Sequence, residues 1–163
     1  MQKIDYKSYR KPSDFLKLEP GENIVRIVSS GGIATIYGMK TSGRWIRFGE
    51  SVPEEVKNKY GESLSAARKW IWIAINRTTQ QVGMLEVGAM IGDKICELAK
   101  QKGADPQEFD VIITRTGEGT KTRYVTELAG PVVLLTTAEQ AKIKKDKEYL
   151  IKKYYANINT SNS

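Results

Sequence analysis

The sequence predicts a mainly β domain with few helices, folded as a small curved barrel of about five strands. Three observations predict it. Residues 69–77 (Lys-Trp-Ile-Trp-Ile-Ala-Ile-Asn-Arg) form the strongest strand signal, and a turn at 78–81 leads into a second strand at 82–87, so the pair reads as a hairpin. A second hairpin follows at 109–115 and 122–128, around the glycine-containing turn 116–121. Between the hairpins, residues 88–102 place Ile91, Ile95 and Leu98 at helical spacing, with Gly103 at the exit as a C-cap.

The remaining elements follow in chain order. Residues 1–18 are lysine-rich and carry Tyr6 and Tyr9, as expected of a basic extended arm. The turn Glu19-Pro20-Gly21-Glu22 opens a strand at 23–29, which Gly31-Gly32 breaks before it resumes at 33–40. A turn at Thr41-Ser42-Gly43 leads into residues 44–48. Residues 51–68 change character: Pro53, Glu54 and Glu55 start a helix, Tyr60-Gly61 ends it, and a second helical piece is expected over 63–69. After the second hairpin, Thr137 with Gln140 fits a capping box and opens a lysine-rich helix running to about Tyr155, followed by a polar tail. The expected organisation is a basic arm (1–18), a central domain (19–136), and a C-terminal helix with its tail (137–163). Strands joined by hairpins, with one helix between the third and fourth, have the connectivity of an OB-fold. A generic α+β sandwich is the alternative that the pattern leaves open.

Composition narrows the chemistry. The 163 residues are 40% hydrophobic and 28% charged, ordinary for one globular domain. Histidine is absent, which removes the commonest general base and metal ligand. The single cysteine, Cys96, excludes an intramolecular disulfide and a cysteine-built zinc site. Acidic residues are scattered, with no pair suited to a catalytic metal, so neither an enzyme nor a cofactor is expected. Apolar stretches such as 131–135 are too short to span a bilayer, and the first eleven residues lack a signal-peptide apolar region. A cytoplasmic protein without a membrane partner is the expectation. The net charge of +7 suggests an anionic partner, but it is unevenly placed. Residues 1–17 hold five basic and two acidic side chains, and residues 137–155 hold six and three. The body between them, with fifteen basic and fourteen acidic residues, is nearly neutral.

Strand alternation then assigns faces. Ile71, Ile73 and Ile75 point one way, taken as the barrel interior, which leaves Trp70, Trp72, Ala74 and Asn76 on the outside. Exposed tryptophans beside cations suit stacking on nucleobases, at about 1–3 kcal/mol per base. Residues 44–48 repeat the pattern, with Trp45 and Arg47 opposite Ile46 and Phe48. Lys40, Arg44 and Arg47 form one cluster without an acid, and Arg68, Lys69 and Arg77 another. The second hairpin adds Arg115, Lys121, Arg123 and Tyr124. The turn 116–121 lacks phosphate-loop spacing and is read as a hairpin turn.

The strand 70–77, the strand 82–87, the helix 91–102, and residues 109–115 with Gly117, Gly119 and Tyr124 resemble phage-type single-stranded DNA-binding proteins. The segment Glu19–Ile27 is similar to that family's first barrel strand, so the resemblance covers roughly residues 19–128. It implies an OB-fold and sequence-independent binding of single strands during phage DNA replication, recombination or repair. It favours Trp45, Arg47, Trp70, Trp72, Arg77, Arg115, Arg123 and Tyr124 as the binding face. Two features depart from the family. Residues 51–68 hold no Cys or His for the zinc that some relatives carry, and the chain ends in lysines and a polar tail instead of an acidic recruiting tail.

The expected function is therefore sequence-independent coating of single-stranded DNA. Expected partners are the DNA, replication or recombination proteins, and further copies of the chain along the strand. Lys40, Lys69, Asn76 and Lys121 join the residues above as the expected nucleic-acid contacts. The alternatives are a structural or assembly protein of a phage particle whose tryptophans are core, and an RNA-binding barrel.

Overall fold

A computed structural model describes residues 14–41 and 44–155, with backbone alone for Thr41, Arg44, Trp45 and Tyr155. The elements in chain order are β1 (Gly21–Ile27), β2 (Gly32–Thr41), β3 (Arg44–Gly49), α1 (Glu54–Tyr60), β4 (Leu64–Asn76), β5 (Gln81–Val87), α2 (Ala89–Lys102), β6 (Asp110–Thr116), β7 (Arg123–Leu128) and α3 (Thr137–Leu150). A π-helical turn, Ile151–Tyr155, continues α3. The expected arm at residues 1–13, with Tyr6 and Tyr9, and the tail from 156 lie outside the described residues.

All seven strands join one antiparallel sheet in the order β3-β2-β4-β1-β6-β7, with β5 on the other edge of β4. Thirteen-residue β4 is the spine. One of its edges pairs with β2 from Leu64 to Ile71 and then with β1 from Ala74 to Asn76. Thus β1 and β2 are one long strand interrupted at residues 28–31, where the Gly31-Gly32 break was expected. The interruption is a bulge: five steps from Ile27 to Gly32 face three steps from Ala74 to Ile71. Ser29 Oγ accepts from the Ile73 amide at 2.7 Å, so the backbone donor left over by the bulge is satisfied.

The sheet does not close, and this corrects the mainly β barrel: among the described residues the fold is a mixed α/β, seven-stranded open sheet with three α-helices. Closure would require the outer edge of β5 to pair with β7. That edge is taken instead by residues 15 and 16. Phe15 bridges Met84 in parallel, and the Leu16 amide donates to the Met84 carbonyl at 2.8 Å. Gly83 permits this crossing, because a Cβ there would lie 2.7 Å from the Leu16 nitrogen.

Two apolar cores lie on opposite faces of the spine. On the concave face, α2 packs Ile91, Ile95 and Leu98 against Val25, Trp72, Leu85 and Ile113. On the convex face, α3 packs Ile143 and Leu150 against Ile71, Ile73, Ile75 and Met84. Every residue from Ile71 to Asn76 is therefore buried. The expected faces are corrected accordingly: the tryptophans occupy the concave core, and the isoleucines lie outside, beneath the C-terminal helix.

Smaller corrections concern two element ends. The piece expected to be helical over 63–69 is a 3-10 turn, Gly61–Ser63, followed directly by β4. The capping box of α3 sits one residue earlier than expected, with Thr136 Oγ1 accepting from the Glu139 amide and Glu139 accepting from the Thr136 amide. The helix α2 ends at Gly103 in the left-handed conformation, as expected.

Candidate nucleic-acid interface

The two tryptophans of β4 do not form an open stacking platform. Trp72 is only 4% exposed. Trp70 is half-buried and stacks on Trp72 with ring centroids 5.6 Å apart and planes 6° apart. Its indole Nε1 donates to Asp93 Oδ1 at 2.8 Å, which ties the pair to α2. Two glycines make room. A Cβ at Gly92 would lie 1.9 Å from Trp70 Cδ1, and one at Gly31 would lie 2.2 Å from Trp72 Nε1. The rings fill each other's faces, so a nucleobase has no open face of Trp72 to stack on.

Several expected cations serve the fold. The Arg47 guanidinium makes a bidentate pair with Glu86, at 2.9 and 2.5 Å, and lies 5.8 Å from the Phe15 ring centroid. Arg77 bonds Asp110 at 2.8 Å and Glu139 at 2.9 Å, and also donates to the carbonyls of Val133 and Leu134. Arg26, which no local pattern in the sequence marks, is the second cation of this network and pairs with Asp110 at 2.7 Å. Two arginines thus balance two buried carboxylates, as buried charge requires. The Arg77 hydrogen bonds hold the Glu139 carboxyl down to about 2 despite its burial. This network fastens residues 133 and 134 and the start of α3 to the sheet. Asn76 is fully buried and donates to Asn23 Oδ1 and the Lys17 carbonyl. Arg115 is half-buried and donates to the Leu18 carbonyl.

What remains gathers at the open seam between β5 and β7. A cleft of about 420 Å³ lies there, lined by Phe15, Lys69, Met84, Glu86, Met90 and Tyr124 among others. Tyr124 pairs with Arg115 across the β6–β7 ladder, and its half-buried ring packs against the concave core. Lys69 is half-buried and reaches the mouth of α2, its Nζ 3.8 Å from where a Cβ on Gly88 would stand. It makes no ion pair with another described residue. The seam therefore brings together two of the expected residues, Lys69 and Tyr124, with the Arg47–Glu86 pair at its rim. Phe15, Met84 and Met90 join them without having been expected. Phe15 sits in a segment read as an arm, and neither methionine had any local pattern to mark it.

The other expected residues are dispersed. Lys40 is exposed on β2, at a register position opposite Trp45 on β3. The side chains of Arg44 and Trp45 lie outside the described residues. Lys121 is exposed in the β6–β7 turn. Arg123 neighbours Tyr124 in sequence but projects from the opposite, convex face, because strand side chains alternate. Among the described residues its guanidinium reaches only the Thr122 carbonyl, at 3.0 Å.

At the far end of α3, Lys153 pairs with Asp14 at 2.8 Å, and the hydroxyl of Tyr154 donates to the same carboxylate at 2.5 Å. Burial, together with the hydrogen bond to Asp14, pushes the Tyr154 phenol up to about 12. This cluster clamps the segment that begins at Asp14 to the C-terminal helix. Among the described residues, no group of three or more His, Cys, Asp or Glu is placed to hold a metal ion, and no helix is long and apolar enough to cross a membrane. No protein-family model matches the sequence, and no curated protein matches it.

Proposed function

We propose that the protein binds single-stranded DNA without sequence preference, seating bases in the β5–β7 seam. The observation that carries this reading is the seam itself: Phe15 and Tyr124 border an open cleft of about 420 Å³ beside Lys69, a cation with no ion-pair partner among the described residues. Aromatic rings beside a cation accept any base by its π-face, while the cation neutralises backbone phosphate. The connectivity β5-β4-β1-β6-β7, with α2 between β5 and β6, supports an OB-like unit whose last closure is left open. On this reading the opening is where the strand enters. Coating of single strands in phage DNA replication, recombination or repair is the corresponding cellular role.

The test is fluorescence anisotropy with an end-labelled oligo-dT, titrated at several salt concentrations. An end label is preferred to intrinsic quenching because Trp72 is shielded. Tyr124→Leu, which keeps apolar packing, should weaken binding by about 1–3 kcal/mol. Lys69→Gln should reduce the slope of log affinity against log salt by about 0.7. Absence of binding at low salt would end the proposal. The same titration with oligo-U addresses an RNA partner. A second reading, a structural or assembly protein, is favoured by one observation: Trp72 is core. Association that is insensitive to salt, in a protein that ignores oligo-dT, would establish it.

A further inference from the structure

The convex face of β1, β6 and β7 carries a pattern that nucleic-acid binding does not use. Directly paired residues share a face, so Glu22, Thr114 and Val125 form one cross-strand row, and Ile24, Ile112 and Glu127 form the next. Val125 is 58% exposed, and beside this face the segment after β7 leaves Val133 59% exposed. Ile24, at 39%, adds to one apolar surface. Such a surface on a soluble protein marks an interaction site.

Charge identifies the occupant. Along β7, Arg123 and Glu127 stand two residues to either side of Val125, on the same face, and both are exposed. Neither makes an ion pair with another described residue. A polyanion would meet Glu22 and Glu127 here, so a nucleic-acid backbone fits poorly. A cation and an anion placed symmetrically about an apolar centre instead match their own image under a two-fold rotation. We infer that this face is an interface between two copies of the chain, related by a two-fold axis through Val125. That axis runs across the strands along the Glu22–Thr114–Val125 row, so rotation sets Arg123 of each copy over Glu127 of the other, making two equivalent ion pairs from one surface, and leaves the two Glu22 carboxylates facing each other at the solvated rim, two strands from the centre. Val125 packs on Val125 at the centre, with Ile24 and Val133 around it, and the charges form the rim. Two sheet faces meeting in this way pack about 10 Å apart, close to aligned.

Sedimentation velocity on the full chain, without nucleic acid and over a wide concentration range, tests the inference. The wild-type protein should show a monomer–dimer equilibrium. Val125→Glu should abolish the dimer, because two carboxylates would meet at its apolar, desolvated centre. Arg123→Glu and Glu127→Lys should each weaken it by roughly tenfold or more, since each sets like charges opposite one another. Combining both reversals in one chain should restore the dimer. Mixing the two single variants should also restore it, because in that heterodimer both cross-pairs are again of opposite sign. All three positions are exposed in the monomer, so thermal unfolding should change little and will confirm that each variant is folded. A wild-type protein that stays monomeric, a dimer indifferent to Val125→Glu, or a double reversal weaker than either single one would overturn the inference.

Discussion

Replacing Gly92 with alanine pits two effects of opposite sign against each other. In an exposed helix the change would stabilise by about 1 kcal/mol, because alanine restricts the unfolded chain and favours the helix. Here the added methyl would lie 1.9 Å from Trp70 Cδ1, 2.3 Å from Cγ and 2.8 Å from Cβ. The ring has little freedom to yield. It is stacked on buried Trp72 and held by Asp93 on the same turn of α2. Overpacking of a core commonly costs about 1–3 kcal/mol. Displacing the ring would forfeit about 0.5–1.5 kcal/mol of aromatic pairing and a similar amount for the indole hydrogen bond. The steric terms win, and the expected net loss is about 1–3 kcal/mol. Thermal unfolding followed by circular dichroism should show Tm falling by about 2–4 °C for each kcal/mol lost. The near-ultraviolet signal of the stacked tryptophans should weaken as well. In a Trp70→Leu background the penalty should shrink, because the two residues are in contact. A Tm that rises, with an unchanged near-ultraviolet spectrum, would refute the close packing of α2 on Trp70 and with it the account of why the tryptophans are core.

Two further perturbations probe how the sheet is covered. Glu139 titrates at about 2 in the folded protein, against 4.5 ordinarily, so its ion pair stabilises fully above about pH 4.5. That contribution is lost as the pH falls towards about 2. Acid titration of stability should steepen in this window, and Glu139→Gln should remove its share of the slope. The same variant should cost about 3–5 kcal/mol at neutral pH, because it leaves Arg77 with an incomplete buried network. Gly83→Ala should dislodge residues 14–16 from β5, since the nearest atoms to the new methyl are backbone, at 2.7 to 3.1 Å. Amide exchange at Leu16 should accelerate selectively, and unchanged protection there would show that the crossing does not depend on glycine.

The strands, the α2 helix with its Gly103 cap, and both hairpins were legible because each rests on local chemistry. Alternation, turn residues and capping act within a few positions along the chain. Which face of β4 looks inward is not a local property. Trp70 to Ile75 is an unbroken apolar run, the mark of a strand covered on both faces. Alternation alone cannot say which side each helix takes. Arg47 and Arg77 read as free cations because their partners, Glu86, Asp110 and Glu139, are 33 to 62 residues away. Lys69 and Tyr124 were readable as residue types but not as neighbours.

The sequence by itself thus determined most of the elements, the start of β4 excepted, and their order. Tertiary structure alone decided that the barrel stays open, that the tryptophans are core, and that a seam exists. The physical reason is that each outcome depends on a contact between distant segments: Leu16 on Gly83, Gly92 on Trp70, and Ile143 on the isoleucine face. Small residues permit those contacts, and a glycine in a sequence does not announce what will approach it.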